Sequence, residues 1–312
     1  RLFVFGDYQG TRRRNGASLR LDVPTALVRS TCLEPSAPVC DLSEYERPIC
    51  DPATDTTIEF ADQKIPRYRI SPQAVALLKL IPEPNVPGAD VIQNFIASGV
   101  AKFTDDNFNL RIDHNTTAKL RIFGRYSFAD FRQDSAGAFG KLVGGPAIGS
   151  DLAGQSFSRN QSIAVGSTYA MAPSLIMDLR FGVFRYHVNV LQEGRGTNPA
   201  ADAGIPGLNL GDLLTSGMPF IDIDGLTFGN ICSCPLLQTE NQFQWVNNWT
   251  KTAGNHVVKW GADIRYAQNF RFTGLGPRVG GLFFSGGRTQ GPDGGGFGLA
   301  TFLLGDVTKF AR

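Results

Sequence analysis

Histidine is scarce in this 312-residue chain, with His114, His187 and His256 as its three copies, each on or beside a run that alternates apolar with polar residues. General acid-base work therefore has few candidates. Neither a nucleophile elbow nor a local Ser-His-Asp or Cys-His grouping occurs. Five cysteines, Cys32, Cys40, Cys50, Cys232 and Cys234, fall in segments rich in Gly, Pro and Asp. A zinc site wants Cys or Cys/His pairs at short spacing, and the histidines lie far from the cysteines in sequence, so no metal is expected. An extracellular setting permits one or two loop disulfides. Five is an odd number, and Cys232 and Cys234 are too close in sequence to favour a simple internal bridge, so the connectivity stays open. "DIDG" at Asp222 to Gly225 lacks the glutamate that closes an EF-hand and reads as a solvated turn. Asp105 and Asp106 read as strand-edge solvation, not as an acid/base pair. No cofactor is expected, and the chain is not expected to be an enzyme.

The remaining chemistry-bearing residues form a set at strand spacing: Arg111, Asp113, Arg121, Arg125, Asp178, Arg180, Lys259, Asp263 and Arg265. Each sits in a run whose other parity is largely apolar, the signature of a two-faced strand. "FNLRIDHNTTAKLRIFGRYSFADF" reads as one hairpin, with Phe108, Leu110 and Ile112 of one parity before a polar turn and Leu120, Ile122, Tyr126 and Phe128 after it. "QSIAVGSTYAMAPSLIMDLRFGVFRYHVNV" reads as a second, with Ile163, Val165 and Tyr169 before the turn at Pro173. "NQFQWVNNWTKTAGNHVVKWGADIRY" reads as a third. A two-residue turn at Gly254 and Asn255 closes Ala253 onto His256, which places Trp249 beside Trp260, Trp245 beside Ile264 and Phe243 beside Tyr266. Two aromatic rungs result, about 20 Å apart along a strand, and they could flank much of an apolar band about 25 Å tall. Phe128, Tyr169, Phe243, Trp249, Trp260 and Tyr266 are the candidate aromatics at a lipid interface. The charged set would then face water in a lumen, where cross-strand ion pairing is the simplest expectation.

The three hairpins close with short turns, while the links between them are long. The expected organisation is a strand at 1–14, a long outer segment at 15–104 holding a short helix in "SPQAVALLKLI", a hairpin at 105–131, an outer loop at 132–158, a hairpin at 159–190, an outer loop at 191–239, a hairpin at 240–270, and a loop with a further strand at 271–312. Such links count against a compact soluble domain and suit an outer-membrane barrel, whose short turns are periplasmic and whose long loops face outward. Gly 36 and Phe 23 are high, and the charged share of 19% lies below the usual 25% or so. The net charge of +2 is scattered, so no nucleic-acid partner is expected. No window approaches the ~20 apolar residues of a spanning helix. The fold class read here is all-β, an antiparallel transmembrane β-barrel segment with long extracellular loops. The alternatives are a soluble extracellular β-sandwich that binds a surface partner, and a plug-free porin or adhesion barrel.

"FVFGDYQGTR", "VPTALVR", "RISPQAVALLKLIPEPN", "FNLRIDHN", "LRIFGRYSF", "GNHVVKWGADIR" and "ATFLLGD", in this order, resemble the barrel region of TonB-dependent outer-membrane transporters of the Oar-like type, which often carry a carboxypeptidase-regulatory-like domain. The resemblance spans nearly the whole chain. It implies a barrel of about 22 strands blocked by a plug domain, in the bacterial outer membrane, with energy for substrate uptake drawn from a TonB complex through a box near the N-terminus. On that comparison the chain is a barrel fragment that starts after the plug and stops before the C-terminal strands. The implied partners are outer-membrane lipid, the plug, the TonB complex and an extracellular substrate.

Overall fold

The architecture comes from a computed structural model that describes residues 1–54, 56–229, 232, 234–273 and 279–312. Strand β1 (Leu2–Leu21) leads into α1 (Ala26–Leu33), the short strands β2 (Val39–Asp41) and β3 (Lys64–Pro66), and α2 (Pro72–Leu78). Then come β4 (Phe95–Asn115) and β5 (Leu120–Ser135), α3 (Gly140–Val143), β6 (Gly154–Ala172) and β7 (Leu175–Gln192). After α4 (Pro199–Asp202) follow β8 (Phe220–Ile223), β9 (Leu226–Phe228), β10 (Leu236–Ala253), β11 (His256–Phe272), β12 (Gly281–Phe284), α5 (Gly298–Leu304) and β13 (Lys309–Ala311). The expected helix is α2, with Pro72 at its start and the Ser71 hydroxyl accepting from the Ala74 N–H at 3.3 Å.

The seven long strands form one antiparallel sheet in the order β1-β4-β5-β6-β7-β10-β11. It is a segment of barrel wall whose edges among the described residues are β1 and β11. At 20 residues, β1 spans roughly 65 Å, more than twice the height of a hydrocarbon band. The strands therefore outrun the boundaries read from sequence. β1 continues to Leu21 and β4 begins at Phe95, so much of 15–21 and 95–104 is wall and not loop. The further strand expected in 271–312 is not on the wall. β12 and β13 instead join β8 and β9 in a small separate sheet, where β12 pairs in parallel with β8.

The outer segments are not open loops. They pack into a cap with its own core, in which Phe228, Phe302 and Phe284 meet edge to face and Ile49, Ile65, Leu77, Leu78 and Leu303 are fully buried. Aromatic edge-to-face contacts of this kind add to the stabilisation from burial. Glycine makes one close approach possible: at Gly229, with φ +79°, a Cβ would lie 1.8 Å from the Pro219 carbonyl oxygen. The cap rests on the strand ends through Leu19 and Leu21 of β1 and Phe95 and Ala97 of β4.

The cysteine pattern resolves within this cap. Cys32 bridges Cys40 and Cys232 bridges Cys234, with Cα separations of 4.4 and 5.1 Å. The second bridge corrects the expectation from spacing: Cys232 and Cys234, two positions apart, have their Cα atoms within the usual range of a disulfide. Cys50 is the odd thiol. It is buried against Gly291, and burial pushes its thiol pKa up, with Glu59 adding to the effect.

Candidate functional site

Strand pairing decides which side chains share a face, because directly opposed residues point the same way and successive ones alternate. Followed through the registers, Val4, Ile112, Gly124, Val165, Phe181, Trp245 and Ile264 make one continuous row. Two residues above lie Leu110, Tyr126, Ile163, Val183, Phe243 and Tyr266, and above those Tyr8, Phe108 and Phe128. Toward the short turns the same face carries Leu120, Tyr169, Met177, Trp249 and Trp260 in one row. All six candidate interface aromatics thus stand on this face. Trp249 and Trp260 are opposed with ring planes 3° apart and centroids 6.1 Å apart, and Phe243 stacks on Tyr266 at 6.3 Å. From the tryptophan row to the Phe128 row is eight residues, about 27 Å along a strand and about 20 Å after barrel tilt.

The opposite face carries all nine charged candidates. Arg121 and Asp178 share one row, Asp113, Arg180 and Asp263 the next, and Arg111, Arg125 and Arg265 the one above; Lys259 lies one row nearer the turns. The structure places them in four successive rows of that face, roughly 20 Å of strand, toward the short turns. Their pairing differs from the cross-strand expectation. Arg111 holds Asp113 at 2.7 Å, Arg180 holds Asp178 at 2.7 Å and Arg265 holds Asp263 at 2.8 Å, each pair two residues apart on a single strand. The register explains this, since Arg111 faces Arg125 and Asp113 faces Phe123 across the strands, so each carboxylate turns along its own strand. The carboxylate of Asp263 also accepts across the strands, from Gln244 at 3.0 Å. Arg125 donates to Ser127 at 3.2 Å and to Asn109 at 3.3 Å, and Arg111 lies over the Phe123 ring at 4.8 Å. These exposed pairs are screened by water and stabilise little. Of the nine candidates six are cations and three are carboxylates, and Asp7, Glu240 and Asp105 stand on the same face farther from the short turns.

A family model described as an outer membrane beta barrel domain matches residues 1–312. The chain belongs to that outer-membrane β-barrel family. It is a protein of the bacterial outer membrane, and no curated protein and no solved structure gives a significant match to it. On a barrel of this family the apolar row of Ile264 suits lipid and the charged row of Asp263 suits the water of a lumen. No helix among the described residues is long and apolar enough to cross a membrane. The soluble sandwich reading falls away with the family. No cluster of three or more metal-ligating side chains occurs among the described residues.

Sequence reading missed a second group of charges on this barrel. Just above the Phe128 row, on the lipid-facing parity, Asp106 binds Arg12 at 2.7 Å and accepts from the Tyr8 hydroxyl at 2.6 Å. Asp130, nearly buried, accepts from Arg132 at 2.9 Å and from Arg159 at 3.0 Å. Asp106 is thus an ion-pair partner and not merely a solvated edge. The signal was available as charge at the apolar parity of β4 and β5, beyond the last aromatic. Asp224, in the turn read as solvated, accepts instead from the Gly286 N–H at 3.0 Å and the Gly298 N–H at 2.7 Å and ties three segments of the cap.

Proposed function

We propose that this barrel belongs to a TonB-dependent transporter of the Oar-like type and that its work is energised uptake, with no bond made or broken. The observation that carries the reading is the charged face of the wall, where over the four rows from Lys259 to Arg111 the cations Arg111, Arg121, Arg125, Arg180, Lys259 and Arg265 outnumber Asp113, Asp178 and Asp263. Such a surface attracts an anionic group, whether on a plug domain or on a passing substrate, and its weak intrastrand pairs are easily exchanged for new ones. The ordered resemblance from "FVFGDYQGTR" to "ATFLLGD" supports the same reading. The cap at the outer strand ends is the surface on which an extracellular substrate would first land.

Capture by the energising complex tests the proposal. Full-length protein from outer membranes is expected to retain the periplasmic domain of TonB on a column and to contain a plug in its upstream sequence. A full-length protein that has no plug and does not retain TonB would be a porin or adhesion barrel, and the transporter reading would fail.

A further inference from the structure

The charges above the aromatic rows lie on the wrong face for lumen chemistry. In the three rows beyond Phe128, the lipid-facing parity carries Arg12, Arg14, Lys102, Arg132 and Arg159 against Asp106, Asp130 and Asp134. These rows begin about 7 Å along the strand above the Phe128 row, where an apolar band of about 25 Å has ended and lipid headgroups begin. A cleft of about 560 Å³ opens there, lined among others by Lys102, Arg132, Asp134, Gln155, Phe157 and Arg159.

The cleft is organised around the nearly buried Asp130, which fixes both guanidinium groups. Arg132 binds it through Nε, its two terminal nitrogens meet no acceptor among the described residues, and its side chain is 62% exposed. Lys102, opposed to Asp134 across the sheet, makes no ion pair among the described residues. Arg159 lies over the rings of Phe157 and Phe128 at 5.1 and 5.4 Å, which joins the cationic rows to the aromatic one beneath. Pre-oriented N–H donors over an aromatic floor suit an anion that arrives attached to an acyl chain.

We propose that this cleft binds the phosphate of an outer-leaflet lipid headgroup, with Lys102 and Arg132 as its donors and Asp130 and Arg159 positioning Arg132. The site faces away from the lumen and does not depend on transport.

Binding of fluorescent bisphosphoryl lipid A to the full-length protein in detergent tests it, with dephosphorylated lipid A and inorganic phosphate as comparison probes. Bisphosphoryl lipid A is expected to bind at least about tenfold tighter than the dephosphorylated form, and a K102Q/R132Q variant to lose most of that preference. Arg159 stays with Asp130 in this variant, so no buried carboxylate is stranded. Should the double variant fail to fold by gel heat-modifiability, Lys102→Gln alone, at a cation that makes no ion pair among the described residues, is expected to reduce the preference at least about threefold. Equal binding of the two lipids, an unchanged preference in a folded variant, or complete displacement by millimolar inorganic phosphate would overturn the proposal.

Discussion

Trp260 and Ile264 lie on the same strand and face, 49% and 66% exposed to what the barrel presents as lipid, yet they sit at different depths. An arginine near the interface can reach headgroups, whereas one at the middle of the band cannot. Trp260→Arg is therefore expected to cost about 0–1 kcal/mol beyond the loss of the indole packing, and Ile264→Arg about 2–4 kcal/mol, read from urea unfolding of the full-length protein in vesicles. Equal penalties would place both residues in one dry core. Glu193 offers a different probe, in the cap just past β7. Burial holds its carboxyl above the ordinary glutamate range, Asp134 adds to this, and the Gly137 N–H donating at 2.7 Å opposes it together with Lys141. The folded state then binds the proton more tightly than the unfolded chain does. Stability from this group is present below about pH 4 and is lost as pH rises through the raised value. Glu193→Gln, which keeps an acceptor for Gly137, should flatten the thermal-melting profile between pH 4 and 7. An unchanged profile would show that the carboxyl titrates normally.

The three hairpins were legible because each crosses two solvents, so parity alone assigns the faces; Phe243, Trp249, Trp260 and Tyr266 fall where a two-residue turn at Gly254 puts them. Gly254 adopts φ +59° with nothing within 4 Å of a built Cβ, so the constraint there is backbone conformation and not space. Gly254→Asn is expected to be near neutral, and Gly254→Val to cost about 1–2 kcal/mol of hairpin stability by the same unfolding measurement. Loss of similar size in both would mean that the turn's side-chain space matters after all. The upper ends of β1 and β4 were not legible, for a physical reason. Their apolar parity inverts, from Leu2, Val4 and Tyr8 to Ala17, Leu19 and Leu21, and from Phe108, Leu110 and Ile112 to Phe95, Ala97 and Ala101. Below, the outer face is apolar because it meets lipid; above, the inner face is apolar because it meets the cap. A period-2 pattern that changes phase reads as a strand that ends. The pairing of Cys232 with Cys234 was hidden for a related reason, since spacing in sequence does not give the Cα separation of 5.1 Å that the bridge spans.

At the scale of the whole molecule, the cap's core is separate enough from the lipid band to fail by itself. Phe302, 1% exposed between Phe228 and Phe284, should on change to Ala cost about 3–5 kcal/mol. In intact cells the expected outcome is proteolysis of the cap by an added protease while the wall keeps its heat-modifiable mobility on gels. Loss of both together would mean that cap and wall fold as one unit.

β1 and β4 pass without a break from the membrane into the cap, paired residue for residue from Leu2 with His114 to Leu21 with Phe95. In mechanical terms this is a cantilever and not a hinge. A hydrogen-bonded ribbon carries bending load along its length, so drag or pull on the cap is delivered as torque to the wall. The cap is therefore held to the wall by a stiff bracket and not by a pivot.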